Sequence, residues 1–272
     1  MSRRYTTLRR VPPRQHGYTL IEILVALLIG IFLLAGLFTI LQNTRRTSSN
    51  QTVLTQLQDE QRMAMSMLND VIQNAGYFDP NTTTSGAALP AVGTALAATG
   101  YTLAVSQGLS GADAGTGDTV VARFATNGTS SAAPDGIENC NGATSTAAAT
   151  FTNTFFIAST TSGGVATYAL WCSLDGSNST STGIPLVNGV ENMQIYYGVA
   201  TVANSNNVDT YMTATQVQAA NDWANVSSVR VTLTFVNPLY GQAGYTATTS
   251  QYVYFTRVIP IQGRTGVIAT AL

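Results

Sequence analysis

Residues 23–41 read ILVALLIGIFLLAGLFTIL, a run in which Thr39 is the sole polar side chain. As an α-helix rising about 1.5 Å per residue, the run is nearly as long as the ~30 Å hydrocarbon core of a bilayer is thick. It is long enough to span a membrane. A cleaved secretory signal carries only about 7–15 apolar residues before a small-residue cleavage site. Here the run is longer, and LQNTRRTSS follows it with no A-x-A. Arg3, Arg4, Arg9, Arg10 and Arg14 precede Gly17 without an acid among them, against Arg45 and Arg46 just after the run. That asymmetry places the amino terminus in the cytoplasm.

An anchor alone explains neither Gly17 nor Glu22, which frame the sequence GYTLIE at the head of the run. Thr19-Leu20-Ile21-Glu22 fits a capping box, and an acid in the first turn suits the positive end of the helix dipole, together about 1 kcal/mol at a wet helix end. Carrying a carboxylate into the apolar phase costs about 3 kcal/mol or more, so the site needs a compensating charge. Basic leader, glycine, aromatic Tyr18, glutamate and long apolar run together resemble the type III signal sequence of type IV pilins and type II secretion pseudopilins. The resemblance implies cleavage by prepilin peptidase after Gly17 on the cytoplasmic face and N-methylation of the new first residue, Tyr18. It also implies that Glu22 pairs with the amino group of Tyr18, on its own chain or on a neighbouring subunit. Ala26 and Gly30 form a small-xxx-small pair, and Gly30 and Gly36 mark places where the helix loosens. Many major pilins carry a proline in this helix; this chain has none.

Beyond QNTRRTSSNQT the chain turns amphipathic, with Val53, Leu57, Ala64, Met67, Leu68, Val71 and Ala75 at helical spacings. Gly76 is a natural carboxyl cap and Pro80 stops any continuation. Met63, Met65 and Met67 alternate, so they point apart on a helix and cannot converge on a metal. Six later stretches read as strands: TVVARFA, TFFIAST, VATYALW, ENMQIYYGVA, VSSVRVTLTFV and QYVYFTRVI. In the fifth, Val229, Val231, Leu233 and Phe235 alternate with polar residues, the period of a half-buried strand. The expectation is an α+β fold, an antiparallel sheet covered on one face by a long amino-terminal helix. Segments 82–100 and 173–182 read as exposed loops. The expected division is a leader over 1–17, the helix over 18–79 (transmembrane about 18–41, amphipathic about 50–75), and a β-rich domain over 80–272.

LVNGVENMQIYYGV, DWANVSSVRVTLTF and the closing VIPIQGR resemble the PilW class of minor pilins, which shows a strand ending in tyrosine-glycine, a tryptophan segment leading into a valine-arginine strand, and a late arginine. The resemblance is loose over residues 81–183. It implies a pilin-like fold, other minor and major pilins and the inner-membrane assembly platform as partners, and a role in priming pilus assembly that supports adhesion or twitching motility. Implied too is residence in the inner membrane before assembly and on the pilus after it. A minor pseudopilin of a type II secretion system, or a filament-displayed adhesin or DNA-uptake receptor, are the alternatives.

Composition narrows the chemistry. Only 9% of residues are charged, against roughly 25% in ordinary soluble domains, and there is no lysine. From Tyr18 onward seven arginines face thirteen acidic residues, which argues against nucleic acid as the main partner. His16, the only histidine, lies in the leader, so the mature chain lacks the groups most used in acid–base and nucleophilic catalysis. No enzymatic activity and no cofactor or metal is expected. Asp113 and Asp118 form a close acidic pair in one loop but read as turn residues before a strand; a calcium loop wants more acidic oxygens at closer spacing. Two lone cysteines do not make a zinc site, and there is no histidine near Cys140 or Cys172, so outside the cytoplasm they read as a disulfide. Closing that loop is worth about 3–4 kcal/mol in the chain-entropy model.

Overall fold

The computed structural model describes residues 17–162, 165–202, 207–242 and 250–264. The expected leader, with its arginines and His16, lies outside the described residues apart from Gly17. The chain divides into two units, Met1–Val53 and Leu54–Leu272. Helix α1 (Leu20–Ile72) contributes to both.

In the first unit the apolar side chains of α1 find no partner among the described residues, and none of its membrane-length stretch is buried. Such a surface is stable only in an apolar solvent or against other subunits. Thr39 is compatible with that environment because its hydroxyl donates to the carbonyl of Ala35 at 2.9 Å. Gly30 and Gly36 lie within the continuous helix.

The second unit is built around the later turns of α1. Leu57, Ala64, Met65, Leu68, Val71 and Ile72 are buried in one helical stripe. The expected stripe holds at Leu57, Ala64, Leu68, Val71 and Ala75, while Met67 is only partly buried. Met65 is in the core and Met63 is half exposed, so the alternating methionines do diverge. The helix ends at Ile72. Gly76 then adopts φ +82°, and its N–H donates to the carbonyl of Arg123 at 2.8 Å.

The strands form two antiparallel sheets rather than the single sheet expected. The first joins β1 (Leu109–Ala112), β2 (Thr119–Thr126), β3 (Ala149–Ser162), β4 (Val165–Ser173) and β5 (Ile184–Asn188) in that order. The second has the order β7-β6-β8-β9, from β6 (Val190–Val199), β7 (Thr210–Met212), β8 (Val226–Val236) and β9 (Tyr252–Pro260). The division falls on Gly189, at φ +76°. Its N–H donates to Tyr168 in the first sheet, and its carbonyl accepts from Val236 in the second. A left-handed residue breaks the strand, so β5 and β6 leave in different sheets.

One core is shared by the helix and both sheets, with Val120, Ala122 and Phe124 of β2, Phe155 of β3 and Leu170 of β4 facing Met193, Ile195 and Tyr197 of β6. Val229, Val231, Leu233 and Phe235 of β8 are all buried in it, as their alternation requires. Segment 82–100 is not a plain exposed loop. It contains α2 (Ser85–Ala88), capped by the Thr84 hydroxyl, and it buries Leu89 completely. Beneath this cover β2 is buried on both faces, and the Arg123 guanidinium donates to the carbonyls of Pro90 at 2.9 Å and Gln107 at 3.4 Å. Loss of solvent pushes the Arg123 pKa down.

Candidate processing and assembly site

Gly17, Tyr18 and Thr19 precede the first helical turn, and Tyr18 is 80% exposed. Thr19 caps α1: its carbonyl accepts from Glu22 and Ile23, and its hydroxyl accepts the Glu22 N–H at 3.4 Å. The cap therefore forms through the glutamate's backbone. The Glu22 carboxylate is exposed and has no hydrogen-bond donor among the described residues. A carboxylate carried into an apolar phase requires a compensating charge.

In the second unit Cys140 and Cys172 are joined by a disulfide, with Cα atoms 6.3 Å apart. Cys140 lies in the long loop between β2 and β3, and Cys172 lies in β4. Both side chains belong to the shared core, so the bridge fixes the loop to the sheet from inside. Its N-terminal flank is held as well, since the Cys140 N–H donates to the buried Asn153 side chain at 2.8 Å.

The stretches that carry the family-like residues come together on β6 and β8. Tyr197 and Trp223 meet edge to face, ring centroids 4.9 Å apart. On the opposite face the Arg230 guanidinium lies between two rings, 4.7 Å from Tyr196 and 4.6 Å from Tyr211. Gly198 follows because a Cβ there would overlap the Ser228 hydroxyl. Gly111 of β1 is the counterpart above Tyr197: a Cβ would overlap the tyrosine hydroxyl, which is buried with no hydrogen-bond partner. These contacts lie between residues far apart in sequence, and spacing alone gave no signal for them beyond the quoted stretches.

Asp113 and Asp118 do not converge on a ligand. Asp113 accepts from Ala214 at 2.9 Å and Thr215 at 3.0 Å, the first N–H groups of α3 (Ala214–Ala220). Asp118 accepts from Ala114 at 3.0 Å and Ile195 at 2.8 Å, and its own N–H donates to Met193. Burial pushes the Asp118 pKa up against the pull of those two bonds, whereas at Asp113 the bonds from Thr213, Ala214 and Thr215 outweigh burial and lower it. Burial, reinforced by Asp118 and Asp113, keeps the Tyr197 phenol protonated. Asp118 is thus a structural clamp rather than a solvated turn residue. Among the described residues no cluster of histidine, cysteine or acidic groups is placed to hold a metal ion.

Residues 154–261 match the family model described as Type IV Pilus-assembly protein W, and residues 12–38 match the Prokaryotic N-terminal methylation motif. The first match runs from within β3 through β9 and contains the Tyr197, Trp223 and Arg230 contacts. The second contains Gly17, Tyr18 and Glu22. No curated protein and no solved structure matches the chain. An N-terminal methylation motif at the head of the exposed apolar helix and a pilus-assembly protein W match over residues 154–261 together support a PilW-class type IV pilin.

Proposed function

We propose that the chain is a prepilin that matures into a minor pilin and acts by assembly, without catalysis of its own. Prepilin peptidase cleaves after Gly17 on the cytoplasmic face, and Tyr18 becomes the methylated first residue. The apolar part of α1 then holds a single-pass subunit in the inner membrane, amino terminus toward the cytoplasm, with the β-rich domain in the periplasm. Together with other minor pilins and the inner-membrane assembly platform, the subunit primes a filament of major pilins and is carried to the cell surface with it, supporting adhesion or twitching motility.

The observation that carries this reading is the Glu22 carboxylate, exposed and without a donor on a helix whose cap is already completed by Thr19. A cap needs the Glu22 backbone only. The carboxylate fits a second task, pairing with the Tyr18 amine that cleavage creates. The pilus reading is preferred to a type II secretion pseudopilin because the family match over residues 154–261 is to a pilus-assembly protein. Glu22→Gln tests the pairing: membrane insertion stays intact while incorporation into filaments falls at least about tenfold, the effect of about 1.4 kcal/mol. Thr19→Ala, which removes only the cap, leaves incorporation close to normal. Normal incorporation of Glu22→Gln reduces Glu22 to a helix-end residue.

A further inference from the structure

The face of the second sheet that points away from the core carries a groove of about 410 Å³, inside the range of small-molecule sites. Its floor follows from register: Gln194 of β6, Thr234 of β8 and Tyr254 of β9 lie on the face opposite Met193, Leu233 and Phe255. Tyr252 stands two residues before Tyr254 on the same face, and Tyr168 closes the groove from β4 of the other sheet.

Glu191 reaches the groove by an irregularity. Strict alternation would send it to the core face with Met193 and Ile195. The β6–β8 register shifts between Val190 and Asn192, leaving Glu191 as the extra residue of a bulge, and the bulge turns its carboxylate outward into the groove. Bulges re-aim side chains at sites of this kind.

The hydrogen-bonding capacity of the lining is unspent. Within the described residues the side chains of Glu191, Gln194, Thr234 and the three tyrosines form no hydrogen bond to the protein. This contrasts with the loop carboxylates of Asp79, Asp113, Asp118, Asp135, Asp175 and Asp209, each of which accepts from neighbouring groups. No arginine lines the groove, and the chain has no lysine.

We propose that this groove binds a neutral saccharide. A pyranose ring presents an apolar C–H face and a rim of hydroxyls that both donate and accept. Tyrosine offers an apolar ring with a polar tip, the Gln194 amide offers donor and acceptor together, and the Glu191 carboxylate accepts from hydroxyls. An acidic sugar or a nucleic acid would meet Glu191 with no cation to offset its charge. A proline-rich peptide uses aromatic ridges but leaves the carboxylate and amide without partners. This site is independent of processing at Gly17, so it stands or falls separately from the assembly role.

The test uses the full chain in a zwitterionic detergent without a sugar headgroup. It is applied to an array of neutral and sialylated oligosaccharides, and the best neutral binder is then titrated. We expect saturable binding to neutral hexose or N-acetylhexosamine oligosaccharides, little to their sialylated forms, and about tenfold weaker binding by Tyr254→Ala and by Glu191→Gln. Tyr254 is 65% exposed, so its truncation leaves the fold in place, which the unchanged melting temperature checks. Absence of saturable neutral-sugar binding overturns the proposal. So does unchanged affinity in both variants, a preference for sialylated glycans, or tighter binding of a proline-rich peptide control.

Discussion

The carboxylate of Asp118 accepts the backbone N–H of Ile195 at 2.8 Å, joining positions 77 residues apart in sequence. It ties the β1–β2 turn of one sheet to the central β6 strand of the other. Burial raises the pKa of this carboxyl above its ordinary value of 3.8. The stability it contributes is therefore full below that value and declines as pH rises through the folded-state pKa. Relative to Asp118→Asn, the native chain should gain stability as pH falls toward about 4 and gain no more below it, measured as urea midpoints in detergent. A difference independent of pH contradicts the buried clamp.

Asp175 has the opposite sign. Partial burial opposes ionisation, but hydrogen bonds from Ser177, Thr182 and Ser173 prevail and hold its pKa at about 2. Its contribution is present above the ordinary 3.8 and is lost as pH falls toward about 2. Asp175→Asn should lower the urea midpoint at neutral pH, modestly because the group is solvent-exposed, and the variant and native chains should converge as pH falls toward about 2.

Gly111 and Tyr197 are coupled through one hydroxyl. Gly111→Ala places a Cβ against the buried, unpartnered tyrosine oxygen and should destabilise the domain by about 1–3 kcal/mol. Tyr197→Phe removes an oxygen that makes no bond, so alone it should be neutral or stabilising. On that background Gly111→Ala should cost at least about 0.5 kcal/mol less. Additive effects contradict the contact.

Cys140 and Cys172 bridge a separation of 32 residues. Replacing both by alanine should cost about 3 kcal/mol, and nonreducing peptide mass spectrometry should recover the two cysteines in one linked species. Free thiols in protein recovered from the envelope contradict the bridge.

Much of this was legible in sequence because it rests on local periodicity. The apolar run, the helical stripe through Leu57, Ala64 and Leu68, and the alternation through Val229 and Phe235 each report burial directly. The second sheet was missed because its origin is a single backbone angle at Gly189, set in an Asn-Gly pair within strand-forming sequence. Strands β1, β5 and β7 are only three to five residues long, too short for a period to register. Segment 82–100 looked like solvent because it is rich in small and polar residues, yet Leu89 and the underlying Arg123 make it a lid over β2. At the candidate site, Gly17, Tyr18 and Glu22 stand in one contiguous motif. The Tyr197–Trp223 and Tyr196–Arg230–Tyr211 contacts depend on strand register, which no single stretch encodes.

The most direct test of the central claim is the amino-terminal mass of the protein recovered from membranes, with and without prepilin peptidase. The expected result is a peptidase-dependent product that begins at Tyr18 and carries an added methyl group. A chain that keeps its leader in both cases contradicts it, and α1 is then a plain membrane anchor.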